Sequence, residues 1–280
     1  MRHYVKIKTI PELLSRIEEP GARILCGGTD LVVKMRSGTI DPQVLLDISD
    51  TQELRGIEEK DDRVTIGAAT TVSEIIADPV IVGKLSLLQS VLRTLGSTQI
   101  RNCATLGGNL VNASPAADSA IPLLLYQAQV VVAGAQGDRQ VPVEDFLLAP
   151  GKAALSSGEF VRSVSIPIPS ATFTPFFHKV GRRKAMIIAI ASLGALVSVK
   201  DGTIDEIRLA AGSVAPRPIR LHNLETELTG KAITQSLIEQ TKTAAMKAVS
   251  PIDDVRASAN YRREVIGELV ARVLRDMAQG

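Results

Sequence analysis

An α+β fold with an α/β-like beginning is predicted by three features of the 280-residue sequence. Short apolar strands alternate with helical stretches over the first segment, consecutive strands fill residues 173–212, and two helical runs close the chain. Hydrophobic residues make up 45% and charged residues 22%, which excludes disordered, collagen-like and heptad-repeat chains. The length suits two domains or one large one.

Residues 11–18 predict a short helix, with Pro11 at its start. Ala22, Arg23, Ile24, Leu25 and Cys26 read as a buried strand that runs into Gly27-Gly28-Thr29-Asp30. A helix over residues 31–36 follows and is stopped by Gly38, then a strand over residues 44–48. Residues 64–68 form a further strand, and Thr71 with Glu74 has capping-box spacing. Leu85, Leu88, Val91, Leu92 and Leu95 recur at helical spacing up to Gly96. An irregular Gly/Asn/Ser-rich stretch leads to a helix over residues 118–127 and strands near residues 130–132 and 160–166. Pro167 and Pro169 mark a linker, which places a domain boundary at about residue 170. Beyond it, Asp201-Gly202 between two apolar runs signals a β-hairpin, and residues 233–249 and 258–277 predict helices.

Lys plus Arg total 32 against 30 Asp plus Glu, so the net charge of +2 gives no general reason to bind nucleic acid or an acidic membrane. Two cysteines are too few for the four ligands of an iron–sulfur cluster or structural zinc. No uncharged apolar run reaches the roughly 18 residues of a membrane span, and residues 185–199 read instead as buried strand. The N-terminal residues lack an apolar signal-like run, so a soluble, cytoplasmic protein is expected, with Cys26 and Cys103 as two buried free thiols. His3, His178 and His222 are scattered, without metal-ligand spacing. Arg182-Arg183-Lys184 reads as a solvated face, with contact to a phosphate or a neighbouring subunit as the lesser alternative. Arg262 and Arg263 are expected to pair with Glu264 or Glu268 along the last helix. Neither a Ser–His–Asp set nor an acid–base carboxylate pair can be argued from spacing, so no catalytic or metal-binding residue is assigned.

Two glycine-rich turns carry the functional signal. The first, Gly27-Gly28-Thr29-Asp30-Leu31, sits between a strand and a helix start, where missing Cβ atoms and unpaired N–H groups suit a phosphate. The plainer alternative is a tight turn with Thr29 or Asp30 as N-cap. It matches neither G-x-G-x-x-G nor the P-loop. The second, residues 105–118, joins Gly107 and Gly108 to Thr105, Asn109, Asn112 and Ser114, which is too polar for core and long for a connector. It reads as a cradle of backbone N–H groups and short side chains around a diphosphate, with Asp118 on sugar hydroxyls or capping the next helix. A diphosphate held from two sides favours a dinucleotide.

With these residues quoted, the chain resembles the FAD-binding subunit of the molybdenum hydroxylases, the family of xanthine dehydrogenase and the carbon monoxide dehydrogenase medium chain. The resemblance is carried by Gly27-Gly28-Thr29-Asp30-Leu31 and by the run from Gln99 through Cys103-Ala104-Thr105-Leu106-Gly107-Gly108-Asn109. It extends through Ala113-Ser114-Pro115-Ala116-Ala117-Asp118, Pro150-Gly151-Lys152 and Ser258-Ala259-Asn260-Tyr261-Arg262-Arg263. The resemblance implies a PCMH-type FAD-binding domain over residues 1–170, in subdomains of about 1–55 and 56–170. A carbon monoxide dehydrogenase flavoprotein-like C-terminal domain would cover residues 171–280. It places FAD against Ile24, Leu25, Cys26, Gly27, Gly28, Thr29, Asp30 and Leu31, and against Thr105, Gly107, Gly108 and Asn109, with Asp118 on the sugar portion. Leu95 falls beside the flavin, and Val161 and Lys179 on two further contact positions; a cation at Lys179 would stabilise the reduced anion, the alternative being a solvated lysine. Many relatives carry Asp after the Met of Arg183-Lys184-Ala185-Met186, where this chain has Ile187, and a cysteine-bearing insertion of some relatives is absent.

The function so implied is that of an oxidoreductase subunit. Electrons would arrive from a [2Fe–2S] small subunit, taken from substrate at a molybdopterin large subunit, and leave for NAD+ or another acceptor, most readily in a xanthine dehydrogenase-type complex. The competing readings are a self-contained flavin reductase or oxidase of the same wider fold, and a non-catalytic nucleotide-binding assembly module.

Overall fold

Among the described residues, parallel strand pairing is confined to the start of the chain. The computed structural model describes residues 3–170, 172–183 and 188–279. Strands His3–Lys6, Val44–Asp47 and Ala22–Leu25 form a parallel sheet in that spatial order, with helices Ile10–Arg16 and Leu31–Arg36 in the connections. Its apolar side, including Ile7, Leu13, Val44, Leu46 and Ile48, buries against Leu54, Ala69, Ala133 and Phe160 of the next segment.

The next segment is an antiparallel five-stranded sheet in the order Ile57–Lys60, Arg63–Gly67, Phe160–Pro167, Gln129–Gly134 and Gly137–Pro142. The chain leaves this sheet after Gly67 and returns at Gln129, and the intervening stretch is mostly helical. The Thr71/Glu74 capping box is formed and starts helix Val72–Ala77. Helix Ser86–Arg93 buries Leu87, Leu88, Val91 and Leu92, and Gly96 follows it at φ +51°. Every residue of helix Ala120–Leu125 is buried, because it lies between this layer and the C-terminal sheet.

That last sheet is antiparallel: Thr174–Val180, Ala191–Lys200, Thr203–Gly212 and Ile219–Arg220. Asp201 and Gly202 turn its central hairpin at φ +49° and +71°. Helices Gln235–Lys247 and Ala259–Gln279 contribute to the core on its side of the molecule. Gly194 and Gly212 are where helix Ala120–Leu125 presses closest, since a Cβ on Gly194 would lie 2.4 Å from Cγ2 of Ile121. Leu196 and Ala210 consequently belong to the core of the middle segment.

Several expectations change at this level. The stretch expected to be irregular contains helices Thr98–Arg101 and Leu106–Asn112. The strand expected from residue 185 begins at Ala191, and Lys184, Ala185, Met186 and Ile187 lie outside the described residues, as does any effect of Ile187. Arg262 does not pair along its helix: it is buried, donates to the carbonyls of Ile190 (2.6 Å) and Ser213 (2.9 Å), and meets Asp254 at 2.6 Å. Arg182 is exposed, as a solvated face requires, and there it donates to the carbonyls of Val255 and Arg256. His222 lies 3.0 Å from Glu144, and no group of metal-ligating residues is found among the described residues. There, no helix is long and apolar enough to cross a membrane.

Candidate functional site

The first glycine turn touches the segment that leads into the second glycine stretch, whose Gly107 and Gly108 lie in helix Leu106–Asn112. A Cβ on Gly27 would lie 1.8 Å from the carbonyl oxygen of Cys103 and 3.1 Å from the nitrogen of Ala104, so the two backbones meet where no side chain fits. Segment 103–105 is held on its other side, where the N–H of Val72 donates to the Ala104 carbonyl (2.8 Å) and Thr71 bridges Thr105. Gly28 takes φ +69°, a conformation that glycine adopts at little cost.

Between the turns lies a cleft of about 520 Å³, a size suited to a cofactor. Ile24, Cys26, Gly27, Gly28, Thr29, Asp30 and Leu31 line one wall, and Thr105, Gly107, Gly108 and Asn109 the other, with Val161 at the same cleft. Leu25 does not line it; its side chain packs towards Gly28. Sequence reasoning missed Ile17, Leu155 and residues 157–160 among the lining residues; Gly158 is a lone glycine there at φ +77°, with no paired-glycine pattern to single it out.

The two walls differ in what they offer. Among the described residues, the N–H groups of Gly28, Thr29, Asp30 and Leu31 have no protein partner. Asp30 occupies the N-cap position of helix Leu31–Arg36, but its carboxylate does not cap; it accepts from Nδ2 of Asn112 at 3.1 Å. The capping alternative therefore fails for Asp30, and those donors stay available to a ligand. On the second wall the expected backbone cradle is largely used by the chain itself. Thr105 caps helix Leu106–Asn112 by accepting from Gly108 N–H (3.1 Å), and Gly107 N–H donates to the Ala68 carbonyl (3.2 Å). What this wall supplies is close approach and the Asn109 side chain. Both helices beside the cleft have fewer than eight residues, so local N–H groups matter more than an extended dipole.

Asp118, Leu95 and Lys179 stand outside that lining and form an adjoining group. Asn109, in the cleft wall, accepts from Ser119 Oγ at 2.6 Å, and the next residue back is Asp118. Asp118 does not cap the following helix, whose N-cap position is Ser119. It pairs with Lys179 at 2.7 Å, both side chains 8% exposed, and Lys179 also donates to the carbonyl of Thr94, beside Leu95 (2.9 Å). Lys179 is thus neither solvated nor an uncompensated cation. Burial pushes the Asp118 carboxyl up from its ordinary value, against the pull of Lys179, and its Oδ1 has no hydrogen-bond partner. An acceptor left bare in a buried site fits a ligand hydroxyl.

The thiols differ from expectation too. Cys103 is exposed, Cys26 is half-buried, and both are free. Burial pushes the Cys26 thiol up.

A cofactor-sized cleft walled by two glycine stretches, with a bare buried acceptor beside it, has the form of a site for a cofactor carrying phosphate and hydroxyl groups. The model of the FAD binding domain in molybdopterin dehydrogenase matches residues 1–169, and that of the CO dehydrogenase flavoprotein C-terminal domain residues 176–277. The chain belongs to the FAD-binding medium subunits of the molybdenum hydroxylases, as an oxidoreductase flavoprotein subunit. It is 30% identical to the glyceraldehyde dehydrogenase medium chain of Sulfolobus acidocaldarius, over 98% of each chain. It is also 30% identical to the xanthine dehydrogenase FAD-binding subunit of Escherichia coli O157:H7, covering 97% of this chain and 94% of that one. The structure superposes on reconstituted CO dehydrogenase from Oligotropha carboxidovorans with a TM-score of 0.94 at 26% identity, over 100% of this chain and 99% of the other.

Proposed function

We propose that this subunit holds FAD in the cleft and relays electrons from a [2Fe–2S] small subunit to NAD+ or another acceptor, within a complex whose large subunit carries molybdopterin. Bound FAD supplies the exchange between one-electron and two-electron carriers. The observation that carries the reading is the backbone contact of Gly27 with Cys103, which brings both glycine turns onto one cleft. In this reading the N–H groups of residues 28–31 and the side chain of Asn109 hold the diphosphate, with Ile24, Cys26, Thr105, Gly107, Gly108 and Val161 shaping the walls. Oδ1 of Asp118 accepts from a sugar hydroxyl. Lys179 pairs with Asp118 and, from the same position, fixes Thr94 and hence Leu95 at the flavin end. The FAD-binding part runs to about residue 170 and the C-terminal part from 171.

The substrate proposed for the complex is a purine of the xanthine type, supported by similarity to the Escherichia coli subunit. Relatives named for glyceraldehyde and carbon monoxide are similarly close, which is consistent with substrate choice lying in the large subunit. We place the complex in the cytoplasm, where two free thiols stay reduced. Purification through a tag on this chain tests the reading. A yellow-brown complex with FAD, an iron–sulfur chain and a molybdenum chain is expected, oxidising xanthine with NAD+. A colourless chain that takes up no added FAD overturns it, as does a flavoprotein that turns over substrate without partners.

A further inference from the structure

Asp30 and Lys34 lie four residues apart at the start of one helix, the spacing at which opposite charges ordinarily pair. Among the described ion pairs they do not pair directly. Asn112, the last residue of helix Leu106–Asn112, stands between them: its Nδ2 donates to Asp30 Oδ1 at 3.1 Å, and its Oδ1 accepts from Lys34 Nζ at 2.7 Å. All three residues line the cleft. The bridge therefore ties the helix that follows the first glycine turn to the helix that carries Gly107 and Gly108.

It also settles where one negative charge goes. Asp30 belongs to the turn whose N–H groups at residues 28–31 have no protein partner. A free carboxylate there competes with phosphate oxygens for those donors and repels them. We infer that Asn112 is a positioning residue for the cofactor: its amide holds the Asp30 carboxylate aside and so keeps the turn open to a diphosphate. This rests on the FAD reading of the cleft and deepens it, since it makes retention depend on a residue that need not touch the cofactor.

The experiment is FAD titration of the full-length chain, followed by flavin fluorescence. Asn112→Ala should weaken FAD binding at least about tenfold, equivalent to about 1.4 kcal/mol. Adding Asp30→Ala should restore affinity to within about threefold of wild type, because the competing anion is gone. Asn112→Asp, which keeps the volume and a partner for Lys34 but faces Asp30 with a like charge, should also weaken binding and be rescued by Asp30→Asn. If Asn112→Ala binds FAD as wild type does, the inference is overturned. Failure of both Asp30 changes to rescue overturns it as well, because Asn112 would then act by direct contact or by supporting the fold. A wild-type chain that takes up no FAD defeats the underlying reading, a result distinct from either.

Discussion

Replacing Lys179 by Met should destabilise the protein in a way that a second substitution repairs. Lys179 and Asp118 meet at 2.7 Å with side chains 8% exposed, and Asp118 Oδ1 already has no partner. The variant leaves a buried carboxylate without its counter-charge and also loses the bond from Nζ to the Thr94 carbonyl. Breaking one side of a buried pair costs about 3–5 kcal/mol. At about 2–4 °C per kcal/mol for a chain somewhat under this length, the melting temperature should fall by about 6–20 °C. The pH dependence has a definite sign. Asp118 has a folded-state pKa raised above its ordinary 3.8, so its contribution is fully present below that value and is lost as pH rises through the folded pKa. Without Lys179 to oppose burial the folded value moves higher, so the deficit should widen between about pH 5 and about pH 8. Asp118→Asn in the same chain removes the stranded charge and should recover most of the loss. Thermal melts of the cofactor-free chain at both pH values provide the assay, since bound FAD would add its own stabilisation. A Lys179→Met melt within about 2 °C of wild type at the higher pH, or a double variant as unstable as the sum of the singles, would refute the argument.

Three further outcomes are expected. Gly27→Ala should abolish FAD retention with far-UV dichroism nearly unchanged, because its Cβ would fall 1.8 Å from the Cys103 carbonyl and drive the turns apart; flavin content equal to wild type would contradict this. Iodoacetamide followed by mass spectrometry should label exposed Cys103 well before Cys26, whose burial raises its thiol pKa, and saturating FAD should slow Cys26 further because it lines the cleft. FAD affinity should change less than about threefold when salt rises from about 0.05 to about 0.5 M. The cleft's charged lining residues, Arg23, Lys34, Asp30 and Glu159, balance to zero, and a loss of tenfold or more would mean that net positive charge does the holding.

What the sequence revealed, and what it hid, follows the range of the interactions involved. The capping box at Thr71 and Glu74, the Asp201-Gly202 turn and the apolar face of helix Ser86–Arg93 are local patterns, and each forms where it reads. Helix Leu106–Asn112 was illegible because two glycines and two asparagines in seven residues oppose helix formation. The reason for one glycine lies elsewhere in the chain: a Cβ on Gly107 would sit 2.6 Å from the Cβ of Ala68. A solvated Lys179 stayed an open alternative because nothing near it in sequence announces Asp118, and Arg262 reads as pairing along its own helix because its acceptors at Ile190 and Ser213 come from other elements. The cleft itself was half legible. Its glycine turns stand out as residues, whereas Ile17, Leu155 and Phe160 look like any other core positions.

The arrangement also explains why the glycine turns were the strongest functional signal. A site that grips an anion through lysines and arginines tolerates small shifts, because long cationic side chains follow their ligand. Here Lys34 is held by Asn112, and Lys179 is held by Asp118. The N–H groups of residues 28–31 belong to main chain whose position is set by the Gly27 contact with Cys103. Backbone donors cannot follow a ligand; they must already be in place. Precise placement then requires backbones closer than any side chain allows, and only glycine permits that. The same reasoning gives the Asn112 bridge its importance: where the donors are fixed, the nearest mobile anion has to be fixed as well.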